Sequence, residues 1–361
     1  MQNEKFPALS YTGYAHPAML FKKFSQNRAV KCELCSHYCI IRENDSGFCL
    51  TRINKGGKLF TINYGKAAGI AIDPIEKKPF FHFKPGSRLL SFGTPGCNFR
   101  CLNCQNYSLS QAVNMEGAKA LEMPPTMPEQ IVHEAAKNRV NGFAYTYNEP
   151  TIFLEYARDI ALACRQNEKA KNMFHTFVSN GYFTKEAFEL IQKENLLQAI
   201  RIDLKFMDDE KYFKICHARL KPVLDSIKRV HESKIHLEII NLLIPKQNDD
   251  EGSIMRTCEF VKSLSPQIPL HFSRFFPYYK MQDLPATSLQ SLKNAKKIAE
   301  DAGLNYVYIG NTGIPGAEDT YCPKCNFSLI KRSRFGIIKN EFEKTKKPVC
   351  PKCGEKINII L

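Results

Sequence analysis

From about residue 87 to residue 310, short apolar runs alternate with amphipathic stretches, and few folds accommodate that order. The runs RLLSFG (88–93), GFAYTY (142–147), MFHTFVSN (173–180), AIRIDLK (199–205), IHLEIINLLI (235–244), PLHFSRF (269–275) and NYVYIG (305–310) read as strands. Between them MPEQIVHEAAKNR, TIFLEYARDIALACRQ, KEAFELIQKE, the sequence running to about His231, the segment around 253–263 and SLQSLKNAKKIAEDAG read as helices. In the second of these, Phe153, Tyr156, Ile160 and Cys164 recur three or four residues apart, on one helical face. Pro245 stops a strand, and Gly303 stands where a helix C-terminus expects glycine. Strand–helix alternation of this kind implies parallel strands joined by right-handed crossovers. The expectation is an α/β chain with a partial or complete TIM-like (β/α) barrel, whose chemistry sits at the C-terminal ends of the strands.

Cysteine divides the rest of the chain. Eleven of the fourteen cysteines fall in three tight groups, leaving Cys164, Cys216 and Cys258 isolated. The N-terminus shows no apolar signal region, and no apolar stretch reaches the length of a membrane helix, so a cytoplasmic protein is expected. Thiols stay reduced in that compartment, and clustered cysteines there bind metal more readily than they pair. We read residues 1–86 as a cysteine-rich module with a strand-rich lead-in, 87–320 as the barrel and 321–361 as a second cysteine-rich module. The lead-in KLFTINYGKAAGIAID reads as extended, with a bend at Gly65.

The first barrel strand runs into GTPGCNFRCLNCQNY, which spaces Cys97, Cys101 and Cys104 as Cys-x3-Cys-x2-Cys. Three thiolates this close can converge on one iron–sulfur cluster, and Gly93, Pro95 and Gly96 allow the tight loop that requires. No fourth cysteine stands nearby, so one iron would stay open, as in a reactive rather than a structural centre. Zinc, or a structural cluster with a distant fourth ligand, is the competing reading.

These residues extend into a wider pattern. CELC with its following cysteines, DPIEKKPFFHFKPGSRLLSFGTPGCNFRC, TYNEP, IDLKFMDDEKYFKICHARLKPVLD and TYCPKC together resemble the radical S-adenosylmethionine (SAM) members of the AmmeMemoRadiSam system, relatives of pyruvate formate-lyase activating enzymes. The resemblance implies a radical SAM barrel in which Cys97, Cys101 and Cys104 hold a [4Fe–4S] cluster whose open iron takes SAM. Reductive cleavage of SAM would then give a 5′-deoxyadenosyl radical that abstracts hydrogen. It also implies a reductant such as flavodoxin or ferredoxin, a protein or small-molecule substrate, and either activation of a glycyl-radical enzyme or work with Memo-type and AMME-type partner proteins. One position departs from the superfamily pattern: Asn103 stands where an aromatic residue usually precedes the third cysteine, with Phe99 and Tyr107 flanking the loop.

The resemblance assigns SAM contacts to strand ends, and each has an ordinary alternative. Asn148 and Glu149 close the second strand, where Glu149 would meet the methionine amino group or simply favour a helix N-terminus. Ser179 and Asn180 are SAM contacts or a plain turn. Asp203 and Lys205 share a strand face, either in the SAM pocket or as an internal salt bridge. His271 is a ribose or substrate contact or a satisfied core histidine, and Asn311 is equally open.

At the C-terminus Cys322, Cys325, Cys350 and Cys353 form two Cys-x2-Cys knuckles, a zinc-ribbon signal for a closed structural Zn²⁺ site. At the N-terminus Cys32, Cys35, Cys39 and Cys49 make a second closed set, for zinc or an auxiliary iron–sulfur cluster. The net charge of +15 is concentrated at these ends: residues 1–60 carry nine basic and four acidic residues, and 321–361 carry ten and three. Compensation of anionic thiolate–metal centres explains the excess. An RNA-binding or RNA-modifying protein is the alternative, but basic residues are not interleaved with an aromatic stripe, so nucleic acid is not the expected partner.

Overall fold

The computed structural model describes residues 11–24 and 28–361. The reading of residues 1–10 as lacking a signal region therefore lies outside the described residues.

Among the described residues the largest sheet has eight strands that follow one another in chain order. They are β1 (Ala68–Pro74), β2 (Arg88–Gly93), β3 (Gly142–Tyr145), β4 (Phe174–Ser179), β5 (Ala199–Asp203), β6 (His236–Leu243), β7 (Leu270–Arg274) and β8 (Val307–Gly310). Strands β2 to β8 are parallel, and β1 pairs antiparallel to β2. The order leaves β1 and β8 as the two edges, so the barrel is partial rather than complete. β3 is buried at every position, as expected for a parallel strand covered on both faces. That double burial is why these strands read as continuous apolar runs.

The crossovers are α1 (Pro128–Lys137), α2 (Leu154–Gln166), α3 (Lys185–Lys193), α4 (Asp209–Cys216), α5 (Leu220–His231), α6 (Glu251–Leu264) and α7 (Leu289–Asp301). Side chains of Thr184, Asp208, Asp250 and Ser288 cap α3, α4, α6 and α7 by accepting a free backbone N–H. Phe153, Tyr156, Ile160 and Cys164 are all buried, in line with the stripe expected there. The helical stretch ending near His231 is two helices, because His217 takes a left-handed conformation (φ 54°) and ends α4. Gly65 likewise divides the lead-in: at φ +73° and against Pro125 it tolerates no side chain. The halves on either side join different sheets, Lys58–Thr61 in the N-terminal module and β1 in the barrel.

The two cysteine-rich segments are anchored differently. The N-terminal one packs on the barrel through a bridge from Cys35 to Phe183, a hydrogen bond from Thr184 Oγ1 to the Glu33 carbonyl, and an ion pair of Arg52 with Glu155 at 2.9 Å. The C-terminal one packs between residues 82–84 and β8. Ile360 donates its N–H to the His82 carbonyl at 2.8 Å, and Lys84 donates to the Ile360 carbonyl at 2.6 Å. The His82 ring lies 2.6 Å from the Asn358 carbonyl and 2.5 Å from the Tyr308 hydroxyl of β8. Residues 81–84, which follow β1, are thereby tied to β8.

Candidate active site

At the C-terminal ends of the strands lies a cavity of about 410 Å³. Cys97, Cys101 and Cys104 all line it, as do Asn148, Ser179, Asn180, Asp203, Lys205 and His271. The loop after β2 carries the three thiols. Gly96 is required in it: φ is +98° and a Cβ would lie 2.6 Å from the Thr51 side chain. Asn148 clamps the same loop, donating its amide to the carbonyls of Thr94 and Gly96, each at 2.7 Å.

Polar groups already surround the sulfurs. Cys97 Sγ accepts the Phe99 N–H at 3.4 Å and the Asn180 amide at 3.6 Å, and Cys104 Sγ lies 3.1 Å from Ser110 Oγ. Burial holds the Cys97 thiol well above its ordinary pKa and raises Cys104 as well. Cys101 is drawn down, first by a hydrogen bond from Cys216 and then, against its burial, by the Lys205 charge. Burial thus opposes ionisation at Cys97 and Cys104, and a bound metal ion would favour the thiolates there.

Behind the lining sits Glu149, fully buried in the turn that follows β3. One carboxylate oxygen accepts from Thr151 N–H at 3.0 Å and Ser179 Oγ at 2.9 Å, and the other accepts the Asn180 N–H at 2.6 Å. Glu149 caps the short helix Pro150–Phe153 and fixes the 179–180 turn, which in turn aims Asn180 at Cys97.

Asp203 ends β5 and binds two cations, Arg201 at 2.6 Å and Lys205 at 3.0 Å. Burial alone would raise its pKa, and the two cations hold it below the ordinary value. For Lys205, burial opposes the charge, but Asp203 outweighs it and keeps the ammonium protonated. His271 is on the cavity wall, yet its Nε2 is engaged by Glu238 at 2.7 Å and Phe81 packs edge-on against its ring. Asn311 donates to Ser273 Oγ at 3.0 Å on the same wall.

Some contributors were not read from the sequence. Arg201 was signalled by its i, i+2 spacing to Asp203, which puts both on one strand face. Lys78 is 4% exposed, pairs with Asp73 at 2.6 Å, and lies 4.6 Å from the Tyr147 ring centre; the EKKP run was its only signal. Cys216 reaches Cys101 from the end of α4, and its carbonyl and that of Ile215 accept the N–H groups of Arg100 and Leu102.

The residues fit a cluster with an open iron and a bound SAM. Among the cavity-lining residues the cysteines are Cys97, Cys101 and Cys104, three thiols and no fourth. Asn103 also lines the cavity, and its Oδ1 is buried with no hydrogen-bond partner, as befits an acceptor held for a ligand. Phe99 supplies an aromatic wall, whereas Tyr107 stacks on Tyr279 at 4.7 Å instead.

The C-terminal quartet has a different geometry. Cys322 and Cys353 sulfurs are 3.6 Å apart, and those of Cys325 and Cys350 are 3.7 Å apart. A tetrahedral zinc ion with bonds of about 2.3 Å sets its sulfurs about 3.8 Å apart. Among the described residues this quartet is the group whose ligand atoms all lie within 4.8 Å of one another. No helix among them is long and apolar enough to cross a membrane.

Comparison with known proteins gives the following similarities. The profile of the Radical SAM superfamily matches residues 92–258, which span the cysteine loop and β3 to β6. An uncharacterized protein of Methanocaldococcus jannaschii is 41% identical over 349 residues, covering 95% of this chain and 99% of that protein. Pyruvate formate-lyase 1-activating enzyme of Escherichia coli is 23% identical over 61% of this chain and 91% of its own length. Among solved structures, a domain of pyruvate-formate lyase-activating enzyme from Bacteroides vulgatus aligns with a TM-score of 0.40 at 25% identity, covering 47% of this chain and 99% of that one. With its parallel partial barrel and three cysteines after the first parallel strand, this chain carries a radical SAM domain with homology to the pyruvate formate-lyase activating enzymes.

Proposed function

We propose that the chain is a SAM-dependent radical enzyme in which Cys97, Cys101 and Cys104 hold a [4Fe–4S] cluster and SAM fills the adjoining cavity. The observation that carries this reading is the convergence of three thiols, Asn180, Asp203 and Lys205 on one cavity. When bound, the cluster supplies the electron that breaks the sulfonium bond of SAM, giving methionine and a 5′-deoxyadenosyl radical that takes hydrogen from the substrate.

The chain's own residues then have distinct tasks. Lys205, kept protonated by Asp203, offers its ammonium to the methionine carboxylate. Asn180 directs its amide at the Cys97 sulfur, and Glu149 holds it there. The orphaned Asn103 Oδ1 accepts from the adenine amino group in place of the usual aromatic contact. Phe99, Phe206, Ile240 and Leu242 make the remaining wall apolar and keep water from the reacting atoms.

Relationship to activating enzymes favours a protein substrate, with a glycyl-radical enzyme as the target; work with Memo-type and AMME-type partners is the other version. Zinc at Cys322, Cys325, Cys350 and Cys353 is the companion assignment. The test is anaerobic reconstitution with iron and sulfide, reduction by dithionite, and measurement of 5′-deoxyadenosine from SAM. Slow release without added substrate is expected, and Cys101→Ala should abolish it. Release that persists in that variant rejects the assignment.

A further inference from the structure

The N-terminal quartet is a second gathering of cysteines, and it lies beside the loop of the first. Cys32, Cys35, Cys39 and Cys49 line one small enclosed cavity together with Gly47, Arg52 and Ile152. Two sulfurs already accept hydrogen bonds of the kind that stabilise thiolates: Cys39 from the Phe48 N–H and Cys49 from the Thr51 hydroxyl, both at 3.3 Å. Arg52 is 1% exposed and stands beside the quartet, held by Glu155.

Two features favour a cluster over a single ion. Among the described residues, the N-terminal sulfurs do not close to the 4.8 Å grouping seen at the C-terminus. A larger inorganic core holds its cysteines farther apart than the edge of about 3.8 Å around one zinc ion. The second feature is position. A Cβ on Gly96 would lie 3.2 Å from the Cys49 carbonyl oxygen, and Gly96 directly precedes Cys97. His37, between Cys35 and Cys39, lies 2.7 Å from the Asn98 carbonyl, directly after Cys97. Ile152 lines the N-terminal cavity and lies beside Gly96. The two cysteine sets are thus neighbours, linked by the His37–Asn98 hydrogen bond, with Gly96 packed too closely beside Cys49 to carry a side chain.

We infer that Cys32, Cys35, Cys39 and Cys49 hold a second [4Fe–4S] cluster that passes electrons to the one at Cys97, Cys101 and Cys104. The relay rests on the proposed function; the presence of the second cluster does not. A reduced one-electron donor protein of the flavodoxin or ferredoxin class is oxidised by one electron and the N-terminal cluster is reduced by one. That electron then moves across the span between Cys49 and Cys97, which returns the N-terminal cluster to its oxidised state and reduces the cluster at Cys97, Cys101 and Cys104. No bond forms and no proton moves.

The test uses full-length protein, reconstituted anaerobically, in three forms: unaltered, with Cys97, Cys101 and Cys104 all changed to Ala, and with Cys32→Ala and Cys35→Ala. Iron, zinc and acid-labile sulfide are counted, and each form is reduced and examined by electron paramagnetic resonance. The expected counts are about eight irons in the unaltered protein and about four in each variant. The triple variant should show a reduced-cluster signal that ignores SAM. The double variant should show a signal that shifts with SAM, and reduced flavodoxin should reduce it at least about tenfold more slowly than the unaltered protein. Zinc and no iron in the triple variant overturns the cluster assignment, and that result does not depend on the folding of the double variant. Equal reduction rates in the double variant and the unaltered protein overturn the relay. Absence of iron from the double variant instead refutes the proposed function, leaving the second cluster to be judged on the triple variant alone.

Discussion

The carboxylate of Glu149 and the backbone N–H of Asn180 are 2.6 Å apart, and this contact links the end of β3 to the side chain that reaches the Cys97 sulfur. Removing it leaves buried donors without a partner on Thr151, Ser179 and Asn180. Glu149→Ala should therefore destabilise the protein by about 2–4 kcal/mol in chemical denaturation. It should also weaken SAM binding about tenfold with cluster iron unchanged, because Asn180 loses its aim. Unaltered SAM affinity would show that Glu149 acts as a helix cap and nothing more.

Asn103 makes the opposite combination of effects. Its Oδ1 is already buried and unpaired, so truncation costs the free protein no hydrogen bond. Asn103→Ala should leave the denaturation midpoint within about 0.5 kcal/mol of its starting value and raise the SAM dissociation constant about fivefold to tenfold. Anaerobic titration calorimetry reads the second effect directly. A stability loss with SAM affinity intact would place Asn103 in the fold rather than at the ligand.

Zinc removal should be felt at the cavity floor as well as in the C-terminal segment. Arg332 of that segment donates to the Phe81 carbonyl at 2.9 Å, its guanidinium lies over the Phe81 ring, and Phe81 packs against His271. Cys350→Ala should lose one zinc per chain, lower the melting temperature and raise hydrogen exchange at residues 81–84. Exchange confined to residues beyond 320 would show that the metal stabilises its own segment alone.

Acid should weaken the fold through histidines that are buried neutral. Burial pushes His175 down to about 3, assisted by the Arg165 charge, and pushes His37 to about 4 and His82 to about 3. Above about pH 6.5 these groups are neutral in both states and contribute no pH dependence. Below it the unfolded chain takes up protons that the folded one refuses, so stability falls until the folded values are reached. Each costs about 1.4 kcal/mol per pH unit over that window. His175 lies far from the cysteine groups in sequence, bonded to Tyr145 at 2.9 Å, and serves as the probe. Denaturation of His175→Gln between pH 7 and 5 should show a slope smaller by about that amount. An unchanged slope would mean that His175 titrates normally.

The barrel was legible because parallel strands covered on both faces leave unbroken apolar runs, and because amphipathic stretches such as the one carrying Phe153, Tyr156, Ile160 and Cys164 fall between them. β1 was harder: a single apolar stretch feeds two sheets, and only the backbone at Gly65 separates them. The cysteine triad was legible because its three residues sit in one loop. Cys216 was not, since it meets Cys101 through the packing of α4 and no local spacing records that. Glu149 was ambiguous for a physical reason. A cap and a ligand contact need the same acid at the same strand end, and only the positions of Ser179 and Asn180 decide which atoms it meets.

The most direct measurement is the electron paramagnetic resonance spectrum of the anaerobically reconstituted, dithionite-reduced protein with Cys32 and Cys35 changed to Ala, recorded with and without SAM. The account predicts a reduced [4Fe–4S] signal from the Cys97, Cys101 and Cys104 site that changes when SAM is added. A signal indifferent to saturating SAM, or no cluster at that site, would contradict it.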